Sequence, residues 1–246
     1  MSFWAEWALL MTDWRNLRRF YNEAAAIKMD GGFSVALDGK PVKTPGKRNL
    51  VVPSEAIAEA IAGEWREQGD AIDVPAMAML RLAATAIDRV GVNRAEVDAL
   101  TLKFAETDLL CYRAEEPPEL VGRQTISWQP LLDWAASDLQ AALVITKGVV
   151  PVVQPHEALN GLEAALTGLS DLEVTAVSGI AAATGSLVIG FAVKYGRVTP
   201  GEAGEIGLLE ELFQMEQWGE DEIALERHAA IRKEINESHR FLELLS

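Results

Sequence analysis

Near residue 75 the pattern of the chain changes, and that change dictates a fold in two parts. Before it, Phe33, Val35 and Leu37 alternate with small or polar residues up to Asp38-Gly39. A period of two places the apolar side chains on one face of a strand, and an Asp-Gly pair tolerates the positive backbone angles of a tight hairpin turn. Pro41 to Lys43 is the expected return strand, and Leu50 to Val52 is a further apolar run after the Pro45-Gly46 turn. One helix belongs to this β-rich stretch. Pro53-Ser54 opens it, Ile57, Ala58, Ile61 and Trp65 recur on one face, and Gly69 stops it.

After Pro75 the reading is helical, and several starts carry a capping residue three positions before a glutamate. Asn93 with Glu96, Ser170 with Glu173 and Thr199 with Glu202 all fit, and Pro200 takes the first helical position, where its missing N–H costs nothing. Pro118, Pro130 and Pro155 mark further starts or breaks, giving about seven helices between residues 76 and 246. The expected class is therefore α+β. A small N-terminal mixed β domain with one helix, residues 1–75, is followed by a larger all-helical domain, residues 76–246, packed as an orthogonal bundle.

The net charge of -15 argues against nucleic acid and anionic membrane surfaces, since neutralising phosphates requires clustered Lys and Arg. The charge is uneven. Residues 1–50 hold 8 Lys and Arg against 5 Asp and Glu, whereas residues 201–246 hold 4 against 12. One cysteine, Cys111, leaves neither an intramolecular disulfide nor a cysteine zinc site, and fits a reducing compartment. Trp4, Trp7 and Trp14 lie in an N-terminal stretch interrupted by Glu6 and Asp13, which reads as neither signal nor transit peptide. The most apolar run, Ile180 to Val193, is short and broken by Thr184, Gly185, Ser186 and Gly190, so no membrane insertion is expected.

Catalytic patterns fail one by one. His228 and His239 are eleven residues apart, which on a helix separates them by roughly 16 Å and prevents a shared metal. Gly185 to Gly190 has phosphate-loop spacing, but Phe191 stands where a lysine is needed. Neither a dinucleotide fingerprint nor a GxSxG elbow occurs, and the small residues around Ser178-Gly179 suit close helix packing. Glu220, Asp221 and Glu222 are adjacent, so they point in different directions on a helix and make no carboxylate pair. Cys111 reads as a buried structural thiol, and Asp108 with Arg113 as a buried ion pair locking helices. The alternative is an enzyme or small-ligand binder with a pocket between the two domains, using Asp108, Arg113 and His156.

Acids alone occupy the interval from Glu202 to Glu226, around the run Leu208 to Trp218-Gly219. Charge runs of this kind either solvate a helix face or meet a partner. As one helix capped at Thr199 and stopped at Gly219, the run places Leu208, Leu209, Leu212 and Met215 on a side that can bury. Glu210, Gln214 and Gln217 form the opposite stripe. Trp65 shares a face with Ile57 and Ile61 and reads as core, whereas Trp218 ends its helix beside acids, where tryptophan anchors interfaces.

Five motifs occur in order: Thr44-Pro45, Glu64-Trp65, Thr107-Asp108-Leu109-Leu110-Cys111-Tyr112-Arg113, Pro130-Leu131-Leu132-Asp133-Trp134, and Phe213-Gln214-Met215-Glu216-Gln217-Trp218-Gly219. Together they resemble the ATP-twelve family, assembly chaperones of the alpha subunit of F-type ATP synthase, over about residues 19–225. The pattern departs at Gln129, where the family places an aspartate. The resemblance implies a β domain followed by a helical domain, no enzymatic activity and no cofactor. It also implies a partner, the free alpha subunit, whose apolar beta-facing surface the chaperone covers until assembly. On that reading the candidate contact residues are Glu210, Glu211, Gln214, Glu216, Trp218 and Asp221, and the free protein is expected to be a monomer. The N-terminal stretch suggests a bacterial cytoplasmic member, the location being the mitochondrial matrix if the source is eukaryotic.

Overall fold

The computed structural model describes residues 18–246 except Val149, so the reading of Trp4, Trp7 and Trp14 lies outside the described residues. The first sheet has three antiparallel strands in sequence order: β1 (Ala24–Met29), β2 (Gly32–Leu37) and β3 (Lys40–Pro41). Asp38 and Gly39 both take positive φ, 47° and 78°, as the two-residue hairpin turn requires. The Asp38 carboxylate also accepts from the backbone N–H groups of Asn22 and Glu23, which ties the incoming chain to the turn. Leu50 to Val52 adds only a bridge, in which Phe33 and Val52 exchange backbone hydrogen bonds of 2.8 Å. Strand β1 was not expected from its Ala-rich sequence, which by itself favours helix. Pairing along its whole length with β2 and cover by α1 (Glu55–Arg66) override that preference.

Helix α1 opens where Ser54 accepts from the N–H of Ala56, and it buries Ile57, Ala58, Ile61, Ala62 and Trp65. Its Glu64 carboxylate accepts from the N–H groups of Met79 (2.7 Å) and Leu80 (2.9 Å) at the start of α2 (Ala78–Thr85). Helix α2 has no side-chain cap of its own, so α1 supplies one. A π-helical turn follows, Ala86–Val90, and its Asp88 accepts from Thr44 Oγ1 (2.7 Å), the Gly46 N–H (2.7 Å) and Arg48 (3.1 Å). A Cβ at Gly46 would meet the Asp88 carboxylate at 2.5 Å, so only glycine admits this lock.

These two ties explain where the chain divides. One compact unit runs up to Asn93 and takes in Phe241–Ser246, and the other is Arg94–Arg240. The first compact unit therefore runs past residue 75, because the first helices after Pro75 are bonded to the β-rich part.

The second unit holds α3 (Arg94–Glu106), α4 (Pro118–Asp138), α5 (His156–Thr167), α6 (Asp171–Thr184), α7 (Leu187–Lys194), α8 (Pro200–Gly207), α9 (Leu209–Trp218) and most of α10 (Glu222–Leu245). With α2, nine α-helices lie between residues 76 and 246 among the described residues, more than expected. The capping boxes at Ser170/Glu173 and Thr199/Glu202 both form. Pro130 does not break its helix. Its ring removes one backbone donor, and the residue four earlier, Ile126, stands on the exposed side of α4, where water can meet the freed carbonyl. The single helix expected from Thr199 to Gly219 is two, α8 and α9, parted at Leu208. The unit is also not purely helical: β4 (Tyr112–Arg113) and β5 (Thr146–Lys147) form a short parallel pair. At the core lies α7, with Leu187, Val188, Ile189, Phe191 and Ala192 fully buried. Gly190 lets it approach α6, since a Cβ there would meet the Val177 carbonyl at 2.9 Å. No helix among the described residues is long and apolar enough to cross a membrane.

Candidate partner interface

Helix α9 carries most of the candidate contact residues, and its setting separates them. Phe213 is its one buried side chain, with the Arg123 guanidinium 5.1 Å above the ring. Leu209, Leu212 and Met215, expected to bury, are only half-buried, while Leu208 is buried just before the helix. Glu210 turns toward α4 and accepts from Gln124 Nε2 at 2.6 Å. Burial, reinforced by the neighbouring Glu211 carboxylate, holds Glu210 above its ordinary value despite that bond. Glu211 turns toward α10, where its Oε2 lies 2.6 Å from Arg227 and 2.9 Å from Nε2 of the buried His228. Glu216 is exposed but paired with Arg123 at 2.8 Å. Thus three of the four candidate glutamate and glutamine side chains are bonded within the unit and fix α9 in place.

The rest of the candidates face solvent. Gln214 and Trp218 lie four residues apart on one side of α9, where Gln214 is exposed and Trp218 is 81% exposed. Gly219, at φ 93°, ends the helix, and Asp221 accepts from the Ala224 N–H at 3.1 Å to cap α10. The reading by composition missed Ile223, 76% exposed, and Leu225, which lie among the acids just past the turn. Their signal was the apolar run Ile223-Ala224-Leu225 set between the acids Glu222 and Glu226. The turn from α9 to α10 is thus an acidic corner of Glu220, Asp221, Glu222 and Glu226, flanked in sequence by the exposed apolar residues Trp218, Ile223 and Leu225, with no Lys or Arg from residue 203 to 226.

The trio of the alternative reading does not form a site. Asp108 is fully buried and accepts from the N–H groups of Leu110 (3.1 Å) and Val188 (3.1 Å), so it caps its own 3-10 turn and the start of α7. Burial pushes its carboxyl up to about 6. Arg113 donates to the carbonyls of Leu110 and Gln124, both at 2.9 Å, and stacks over Trp128. Its expected ion pair with Asp108 is not formed, and backbone groups hold both ends instead. His156 is exposed at the start of α5. No group of His, Cys, Asp and Glu that could hold a metal occurs among the described residues.

An acidic helical corner with exposed apolar side chains suits a protein that binds another protein. Residues 18–136 match the family described as ATP12 chaperone protein. The structure is similar to the crystal structure of Atp12 from Paracoccus denitrificans, 40% identical, with a TM-score of 0.89 over 93% of this chain and 98% of that one. It is also similar to a putative chaperone from Agrobacterium tumefaciens, 38% identical, TM-score 0.88, over 93% of this chain and 86% of that one. The mitochondrial protein atp12 of Schizosaccharomyces pombe is 26% identical over 223 residues, 86% of this chain and 77% of the relative. The chain belongs to the ATP12 chaperone family.

Proposed function

We propose that this chaperone binds the free alpha subunit of F-type ATP synthase and shields its apolar beta-facing surface until the catalytic sector assembles. The observation that carries the reading is the exposure of Trp218, Ile223 and Leu225 beside an unbroken acidic stretch, in a chain of the ATP12 chaperone family. Exposed subunit interfaces aggregate, and a protein that covers them needs only binding and release, so no catalysis is required. Trp218, Gln214 and Asp221 make contact in this reading, while Glu210, Glu211 and Glu216 hold α9 at the angle that presents them. The free chaperone is a monomer, acting in a bacterial cytoplasm or a mitochondrial matrix.

Freshly refolded alpha subunit, diluted into buffer with and without the purified chain, tests this directly. The expected result is a soluble complex of the two chains on gel filtration and suppressed light scattering. Equal aggregation with and without the chain, at low salt, would sink the proposal. Trp218→Ala is expected to weaken the complex by about tenfold or more, as truncation of an interface tryptophan does.

A further inference from the structure

The motif Thr107 to Arg113 has an outcome that the acidic corner does not use. Its buried residues hold an exposed loop whose described residues are 144–148 and 150–153. Strand β4 pairs Tyr112 with Thr146 and Arg113 with Lys147, and the Arg113 carbonyl accepts from the Gly148 N–H at 2.9 Å. The neck of the loop is closed by Gln154, which is 3% exposed. Its Oε1 accepts from the Val144 N–H at 2.8 Å and its Nε2 donates to the Val144 carbonyl at 3.0 Å. Cys111, within the motif, is itself fully buried. A glutamine amide therefore imitates one more rung of backbone pairing and closes the neck of the loop.

What this apparatus presents is aliphatic. Val153 is 91% exposed and Val150 66%, with Val144 and Ile145 about two-fifths exposed. Lys147 is the one charged residue between Asp138 and His156. Surface loops are ordinarily polar, and a cluster of exposed apolar residues on a fixed loop marks a contact. β-branched side chains have little rotamer freedom to lose, and the Gln154 clasp removes backbone freedom before any encounter, so binding costs little ordering.

We propose that this loop is a second client contact, separate in chemistry from the acidic corner, which takes the uncharged aliphatic surface that the client subunit buries on assembly. The inference rests on the reading given under Proposed function. Charge selects this occupant. Two copies of a chain carrying -15 repel each other, and an anionic membrane is repelled likewise. A foreign aliphatic surface, by contrast, meets a loop that has almost no charge to desolvate.

The test uses the full chain with Val150→Asp and Val153→Asp together, and Ile126→Asp as a control at another exposed aliphatic position. Binding of refolded alpha subunit, thermal unfolding and sedimentation are measured for each. Expected are equal binding by the wild type and the Ile126 variant, and at least about tenfold weaker binding by the loop variant with an unchanged unfolding midpoint. Should the aspartates lower the midpoint, Val150→Ser with Val153→Ser reads the same contact, with weakened binding again expected and unchanged binding counting against the loop. Binding by the wild type that the loop variants keep in full overturns the loop contact alone. A wild-type chain that does not bind the subunit overturns the proposed function and the loop contact with it. A wild type that self-associates through residues 144–153 also overturns the proposal, because the loop then serves a second copy.

Discussion

Asp108 shows how a residue from a recognition motif can be structural throughout. Its two carboxylate oxygens accept from Leu110 and Val188, capping two helical starts from a site without solvent. An asparagine offers one acceptor oxygen and turns an N–H₂ toward the remaining backbone N–H, so Asp108→Asn is expected to cost about 1–3 kcal/mol in denaturant unfolding. The pH dependence has a definite sign. The folded carboxyl titrates at about 6, above its unfolded value of 3.8, so between these values the folded state holds the proton that the unfolded state has released. The stability from this group is complete below pH 3.8 and is lost as pH rises through about 6, a decline of about 3 kcal/mol. Unfolding free energies measured from pH 3.5 to 7 should carry that slope in the wild type and lack it in Asp108→Asn. Equal slopes in the two proteins would mean that Asp108 stays ionised when folded. Glu64 has a similar office with less burden: Glu64→Ala uncaps α2 and is expected to cost about 1–2 kcal/mol by the same measurement.

Elements in this protein are set by side chains that reach from one to the next, and this decides which of them could be read in advance. Glu211→Lys would place a cation against Arg227 and His228 and pry α9 from α10, so a fall in unfolding midpoint is expected, whereas Gln214→Lys, exposed on the same helix, should leave the midpoint in place. A charge reversal at Glu211 therefore reports on folding before it reports on association, contrary to what an unbroken acidic stripe suggests. Gln154→Leu removes the clasp at Val144 and should speed proteolysis within residues 144–153, while the helices keep their amide-exchange protection. Features whose cause is local were legible: the Asp38-Gly39 turn, the Ser54 cap, both capping boxes, and the apolar face ending in Trp65. Features whose cause is distant were not. The Ala-rich β1 is a strand because β2 and α1 make it one, and β5 exists because β4 lies beside it. Likewise the chain turns at Leu208 where Gly207 packs on Thr184, 3.1 Å from the would-be Cβ. The same limit applied to the candidate contact residues, where Gln214 and Trp218 were readable as polar and aromatic, but the inward commitments of Glu210 and Glu211 depended on Gln124, Arg227 and His228.

At the scale of the whole molecule, the binding proposed above would divide between charge, which acts on approach, and apolar surface, which acts on retention. The chain carries -15, and residues 201–246 hold 12 acids against 4 Lys and Arg, so its field is concentrated where the Trp218 corner lies. Exposed charges act over about a Debye length, roughly 10 Å at 0.1 M salt and 3 Å at 1 M, and chiefly raise the rate of encounter. Apolar contacts act only on touching, and their loss appears in dissociation. If the client presents a basic rim around its apolar surface, raising salt from 50 to 500 mM should slow association by about tenfold, with dissociation changed far less. Trp218→Ala should do the reverse, speeding dissociation at either salt and leaving the salt slope of association as it was. Stopped-flow mixing of labelled chain with refolded alpha subunit separates the two rates. An association rate indifferent to salt would remove the acidic stretch from the encounter and leave it as solvated helix surface, with the exposed apolar residues beside it and the Val144 to Val153 loop as the remaining candidates for contact.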